Sequence, residues 1–222
     1  MYSLNGLVIG SMIPDFEYFI RLDNTSNFSH TFLGLFLFDL PSALLILTLF
    51  HQFKEILIKN LSSFIRSRLV HLTKFNWIDY LKNNWLLVSC SILFGAITHL
   101  FWDGFTSGNG YFVRHNPFLE TQSVVFNTEI YVYKIIKHVS SLIGIVILLY
   151  FLFKLPKHPN YSIKADRYFW IVFFFLTIGI ILLQVTTFPY HISFNTLIKK
   201  IVASGLLAIL MASLYFKIAQ KQ

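Results

Sequence analysis

The chain has few charged residues and almost no cysteine. Only 13% of its 222 residues are charged, whereas a soluble domain of ordinary composition carries about a quarter. Its single cysteine, Cys90, lies in an apolar run and excludes an internal disulfide as well as a multi-cysteine metal cluster. So few charges cannot cover the surface of a soluble domain, and we therefore expect lipid to be the solvent.

Several signatures of catalysis and targeting are also missing. The sequence contains no glycine-rich phosphate loop, no GxSxG elbow and no HExxH motif, so nothing supports a serine or cysteine nucleophile. The apolar stretch 4–13 has no basic segment before it and no cleavage site after it, so it does not resemble a signal peptide. The net charge of +8 comes from basic residues that flank apolar segments, which argues against a nucleic-acid partner.

What the chain has in excess is apolar sequence, at 55% of its residues. A membrane-spanning helix needs about 20 mostly apolar residues. Five segments meet or approach this length: 31–50, 85–105, 139–153, 168–186 and 201–216. The sequence therefore predicts an all-α transmembrane helix bundle in a single domain, 1–222, with about five spans plus a re-entrant or partial N-terminal helix.

The basic residues predict how the bundle is oriented. Twelve of the 18 Lys and Arg residues lie in the segments that this topology places on one side, and six lie on the other. Because basic loops stay inside, we expect a multi-pass protein of the inner (cytoplasmic) membrane with its N-terminal segment outside and its C-terminus cytoplasmic. The basic amphipathic loop 53–84 is then expected to lie along the anionic inner surface, so membrane lipid is an expected partner.

Two ionisable residues near the end of the second span point to a site. His99 and Asp103 are four residues apart, and so lie on the same face of a helix. Ionisable groups at membrane depth usually face a metal, a partner or a cavity. The predicted orientation gathers Asp15, His30 and His138 at the same membrane face, which favours a shared metal site. The alternative is a polar pair that only holds helices together.

Mixed histidine and carboxylate ligands suit zinc, and suit manganese or iron less well. A bound ion would support hydrolysis, with Glu17 as the catalytic base. The competing interpretation is a non-catalytic structural or interaction protein, and ion transport through Asp39 and His99 ranks last. For Asp39 we expect a structural role, with its carboxyl group bonded to a backbone carbonyl freed by Pro41.

Three blocks in this order resemble a known family: GSMIPDFEYF at 10–19, SHT at 29–31 with LFDLP at 37–41, and GAITHLFWDGFT at 95–106. They resemble domain-of-unknown-function family 4184, a family of bacterial integral-membrane proteins. That family is similar to membrane-bound metal-dependent hydrolases, whose His/Asp pattern resembles that of zinc-dependent phospholipase C. The resemblance implies the following metal ligands: Asp15, His30, His99, Asp103 and His138. The gathered His/Asp set motivates the leading hypothesis, a metal-dependent hydrolase that acts at the outer leaflet on a lipid or phosphoester.

The chain departs from the family pattern at two positions. Family members carry a Ser-His-Pro segment before the Pro-Asp block, whereas the thirteen residues before Pro14 include no histidine. Ser107 stands where family members often carry histidine, and His115 is the nearest histidine that would replace it. We therefore expect the chain to start late and its site to be incomplete.

Overall fold

The computed structural model of the chain describes residues 2–21, 28–125, 127–158, 165–187 and 194–219. The helices in these ranges are α1 Leu4–Gly10, α2 Phe16–Arg21, α3 Phe32–Gly34, α4 Leu40–Asn60, α5 Ser63–Leu69, α6 Trp77–Thr106, α7 Tyr111–His115, α8 Val132–Lys154, α9 Arg167–Thr187 and α10 Phe194–Ala219. Short 3-10 turns cover Ile13–Asp15, Val70–Lys74 and Pro117–Glu120, and a π-helical turn covers Leu35–Asp39. Strands β1 Gln122–Val125 and β2 Thr128–Tyr131 form one antiparallel hairpin.

Five helical stretches in the described residues are long and apolar enough to cross a membrane: Phe32–Asn60, Trp77–His115, Val132–Lys154, Arg167–Thr187 and Thr196–Ala219. Helices dominate because a chain in lipid must satisfy its backbone hydrogen bonds within each spanning segment. The prediction of an all-α bundle with about five spans and a partial N-terminal helix is confirmed.

The first span is longer than its sequence suggests. Asp39 ends the π-helical turn, and Pro41 lies directly after it, in the first turn of α4. The helix then continues to Asn60. Residues 53–60 and 77–84 of the predicted basic loop belong to α4 and α6, and 61–76 lies between these helices. That the segment 53–84 lies along the membrane surface stays a prediction. Lys54 is accommodated in the helix because its Nζ donates to the Phe75 carbonyl.

Helix α1 packs along α6 and runs in the same direction. Its seven residues rise about 10 Å, which is too short to cross a bilayer. At its start the Ser3 N–H donates to Ser91 Oγ at 2.9 Å. Beyond its end the Ser11 carbonyl oxygen lies 2.8 Å from His99 Nδ1. The chain leaving α1 is thereby brought to the end of α6 that carries the predicted site.

Two glycines allow this close packing. A Cβ atom on Gly10 would lie 2.2 Å from the Ile92 carbonyl oxygen, and one on Gly95 would lie 2.4 Å from the Leu7 carbonyl oxygen. Only glycine fits where two backbones approach so closely. The contact contributes to a core of α1, the 3-10 turn after it, the first span and α6, which contains Ile9, Ile13, Leu35, Ala43, Leu47, Trp77, Val88, Ile92 and Ala96.

A second core joins α4, α9 and α10 through Ile56, Phe169, Ala212 and Phe216. Helix α8 has no fully buried side chain within the described chain. The two cores therefore hold the bundle around the first span, and α8 lies at its outside.

Replacing Gly10 with alanine should destabilise the bundle by about 1–3 kcal/mol, since the added methyl group must push α1 away from the α6 backbone. Thermal unfolding of the purified protein in detergent measures this. The matched control is Gly144→Ala on α8, where a Cβ atom meets nothing within 4 Å. Equal unfolding temperatures for the two variants would contradict the packing described above.

Candidate metal centre

Four ionisable side chains from three separate segments converge at one end of the bundle. Asp15 ends the 3-10 turn after α1, His30 lies in the turn before α3, and His99 and Asp103 lie on α6. Each offers one ligand atom, and these atoms all lie within 4.8 Å of one another. The group Asp15–His30–His99–Asp103 could hold a metal ion and is called the metal centre from here on; it offers two nitrogen and two oxygen donors.

The spacing of the donor atoms exceeds that of hydrogen bonds. His30 Nε2 lies 3.5 Å from Asp103 Oδ2, and His99 Nε2 lies 3.6 Å both from Asp103 Oδ2 and from Asp15 Oδ1. Hydrogen bonds between nitrogen and oxygen are usually 2.7–3.2 Å long. Ligand atoms about 2.1 Å from a tetrahedral zinc ion lie about 3.4 Å apart. These three distances are compatible with a divalent ion between the side chains, and the remaining ligand atoms lie within 4.8 Å of one another.

The tautomer of His99 strengthens this fit. Its Nδ1 lies 2.8 Å from the Ser11 carbonyl oxygen, which can only accept, so the network assigns the proton to Nδ1. In the neutral ring, Nε2 then presents its lone pair to the carboxylates of Asp15 and Asp103. Two anions facing a lone pair require a cation or a second proton between them. A backbone carbonyl that orients a ligating histidine in this way is common in metal sites.

A chain of contacts from α2 through the turn before α3 positions the His30 ring. Its Nδ1 lies 2.9 Å from Ser29 Oγ. The Ser29 N–H donates to Glu17 Oε2 at 2.8 Å, and Glu17 Oε1 pairs with Arg21 at 2.8 Å. This chain of contacts links α2 to the turn before α3 and so fixes where the His30 ring lies.

Glu17, the predicted catalytic base, is 2% exposed. Each of its carboxylate oxygens contacts a partner outside the metal centre, Arg21 on one side and the Ser29 N–H on the other. A general base must reach a proton of the reacting water or substrate. The contacts of Glu17 support a positioning role, and its role as a base stays a prediction.

Asp39 is an acid near the metal centre to which the sequence assigned only a structural role. It is fully buried at the end of the π-helical turn and lies within electrostatic reach of His30 and His99. Neither carboxylate oxygen forms a hydrogen bond within the described part of the chain, so the expected bond to a carbonyl freed by Pro41 is absent. The π-helical turn changes which face Asp39 occupies, and no pattern in the sequence marks such a turn.

Two further histidines, His138 and His115, are not among the four residues whose ligand atoms converge. His138 lies exposed on α8. Its role as a metal ligand stays a prediction. His115 is also exposed, and its Nδ1 lies 2.7 Å from the Tyr111 carbonyl oxygen of its own helix. Ser107 follows α6, where its N–H donates to the Asp103 carbonyl at 3.0 Å.

The metal centre is half-buried. The side chains of His99, His30 and Asp103 are 16%, 22% and 23% exposed, and that of Asp15 is 49% exposed. Lys199 stands 4.1 Å above the Tyr18 ring, whose centroid lies 6.0 Å from that of His30. The centre is therefore enclosed on the α6 side and open at Asp15, with a cation close to its edge.

Comparison with known proteins identifies the family. The family profile described as domain of unknown function (DUF4184) matches residues 1–218, nearly the whole chain. No curated protein matches the chain, and no solved structure does. The match covers all four side chains of the metal centre together with the elements that carry them. The chain therefore belongs to the DUF4184 family of domains of unknown function.

Proposed function

We propose that this protein is a metal-dependent hydrolase of the bacterial inner membrane, with zinc held by the metal centre at the outer face. One observation carries the proposal. Ligand atoms of Asp15, His30, His99 and Asp103 lie within 4.8 Å of one another although they come from three separate segments. Bringing two acids and two histidines together at the end of a span is unfavourable unless they bind something.

The donor set supports zinc over other common divalent ions. Two imidazole nitrogens and two carboxylate oxygens match its preference for four ligands, whereas magnesium and calcium prefer six or more oxygens. Bound at the metal centre, the ion supplies the positive charge that polarises the ester bond of a substrate. The Ser11 carbonyl orients His99, and the contacts from Glu17 through Ser29 orient His30.

The surroundings of the metal centre suit a lipid or phosphoester substrate. The open side at Asp15 gives a reacting group access, since this carboxylate is the most exposed of the four. Lys199 lies over the Tyr18 ring, near the edge of the metal centre, and adds positive charge that attracts an anionic substrate. In the reaction, water adds across an ester bond and releases an alcohol and an acid, and membrane lipids contain such bonds.

The orientation is part of the proposal and rests on charge. Segment 61–76 and the C-terminal end of α10 lie on the side of the bundle opposite to the metal centre. Twelve of the 18 basic residues belong to that side. The positive-inside rule therefore favours an outer-face site.

A non-catalytic role has one observation in its favour. The Asp103 carboxylate lies within 4 Å of both histidines, and protonated histidines would form ion pairs that hold α6 to the turn before α3. In that case the group would stabilise the bundle without a metal. The experiments below separate this role from metal binding.

Protein purified in the presence of zinc should hold about one zinc ion per chain, and His99→Ala should lose most of it because one of four ligands is gone. Elemental analysis after gel filtration measures the metal content. His71→Ala, an exposed histidine at the opposite end of the bundle, is the control and should keep its zinc.

Chelation gives the second part of this test. If zinc binds the folded state, removing it should lower the unfolding temperature of the wild type but not that of His99→Ala. A wild type that holds no zinc, and whose unfolding temperature chelator leaves unchanged, would instead support the non-catalytic role.

The zinc-loaded protein in detergent should hydrolyse a chromogenic phosphodiester such as bis(p-nitrophenyl) phosphate. Asp15→Asn should reduce the rate at least about 100-fold, because it removes a charged ligand at the open side of the metal centre. Asp79→Asn, an exposed carboxylate at the other end of α6, is the matched control. Equal activity in both variants would show that the metal centre does not carry the hydrolysis.

Cysteine labelling tests the orientation. In a Cys90→Ala background, exposed Thr128→Cys in the hairpin should react with an impermeant maleimide added to intact cells. Exposed Ser62→Cys after α4 should react only once the cells are opened. The reverse pattern would place the metal centre inside.

A further inference from the structure

A polar pocket lies at the opposite end of the bundle from the metal centre. It is formed by the second half of α4, the 3-10 turn Val70–Lys74 and the first residues of α6, and its volume is about 410 Å³. Helix α6 begins at this pocket, and His99 on the same helix lies about 30 Å farther along it. The two sites are therefore separate, and an inference about the pocket does not depend on the metal centre.

Lys54 is a buried cation in the wall of this pocket. It is 5% exposed, its Nζ donates to the Phe75 carbonyl, and Nζ stands 5.4 Å from the centre of the Phe75 ring. An ammonium group has three N–H donors. A neutral carbonyl and a ring compensate its charge only in part, since burying a charge is costly without a counter-ion. No carboxylate in the described residues lies within 4 Å of Lys54.

Two further lysines from other elements add to this charge. Lys74 ends the 3-10 turn and stands exposed at the pocket. Lys217 on α10 donates to the carbonyl of Gln52, a residue of the pocket wall, at 3.0 Å. The one acid in the wall is Glu55, which is exposed, and a second acid, Asp79, lies beside the wall and accepts from Asn76 Nδ2. The pocket therefore carries an excess of positive charge that attracts anions.

Part of the remaining wall is aromatic and held by side-chain contacts. Trp77 is 3% exposed, its Nε1 donates to Thr48 Oγ1 at 3.1 Å, and its ring stacks on His51 with centroids 4.8 Å apart. Aromatic rings and lysines together at the ends of spans are typical of the membrane–water interface. Basic pockets between spanning helices at this level bind lipid headgroups.

We infer that this pocket binds a phosphate group, supplied by the headgroup of an anionic phospholipid. Lys54 and Lys74 are the cations that contact the phosphate oxygens, and Trp77 forms the apolar wall beside them. Lys217 contributes charge at longer range from α10. The pocket thereby ties α4, the 3-10 turn and the start of α6 to the lipid surface.

Titration of the full chain in detergent with dioctanoyl phosphatidylglycerol, followed by native mass spectrometry, tests this inference. Lys74→Gln should weaken binding about fivefold, the contribution of one lysine near an anionic lipid surface. Lys54→Gln should weaken it more because its ammonium is buried. Because Lys54 also donates to the Phe75 carbonyl, its replacement affects folding as well as binding. Lys74→Gln tests binding alone, because the exposed Lys74 side chain forms no hydrogen bond within the described residues.

Two controls and two further probes complete the experiment. Lys82→Gln makes the same charge change at an exposed position outside the pocket and should leave the affinity unchanged, whereas Glu55→Gln should raise it. Equal weakening by Lys82→Gln and Lys74→Gln, or equal affinity for dioctanoyl phosphatidylcholine, would overturn the inference. Sodium phosphate that displaces the lipid at equal concentration would support a phosphate site but identify free phosphate as its ligand.

Discussion

The close approach of α1 to α6 is the contact on which the metal centre depends. It exists because Gly10 and Gly95 have no Cβ atoms where the two backbones meet. A helix of seven residues is not stable alone in any solvent that competes for its hydrogen bonds, so α1 is held by packing. That packing brings the Ser11 carbonyl to His99 and carries Asp15 to the same place.

The membrane as solvent explains where the polar chemistry lies. Charged groups are costly at the centre of a bilayer and tolerable at its edges, and the two polar sites lie at opposite ends of α6. One contains two carboxylates and two histidines, which could hold a cation. The other contains Lys54 and Lys74 with Glu55, and we propose that it binds an anion. The apolar spans between them separate two sites of opposite electrostatic preference.

Much of this arrangement could be predicted from residues alone. Hydropathy identified the spans, because length and apolar composition are sufficient in lipid. The four-residue spacing of His99 and Asp103, together with the topology, predicted that Asp15 and His30 share their membrane face. The end of the first span was predicted wrongly, since α4 continues to Asn60. The basic residues after residue 50 were taken to mark a loop, but Lys54 lies within α4 and its Nζ donates to the Phe75 carbonyl.

By itself, the sequence determined the fold class, the number of spans and the residues able to bind a metal, since these follow from composition and local periodicity. Only the tertiary structure decided which of those residues meet. Asp15, His30 and His99 converge while His138 remains apart, and Asp39 approaches the histidines through a π-helical turn. Such distances depend on how helices pack and rotate against one another, and no local pattern encodes contacts between distant segments of a chain.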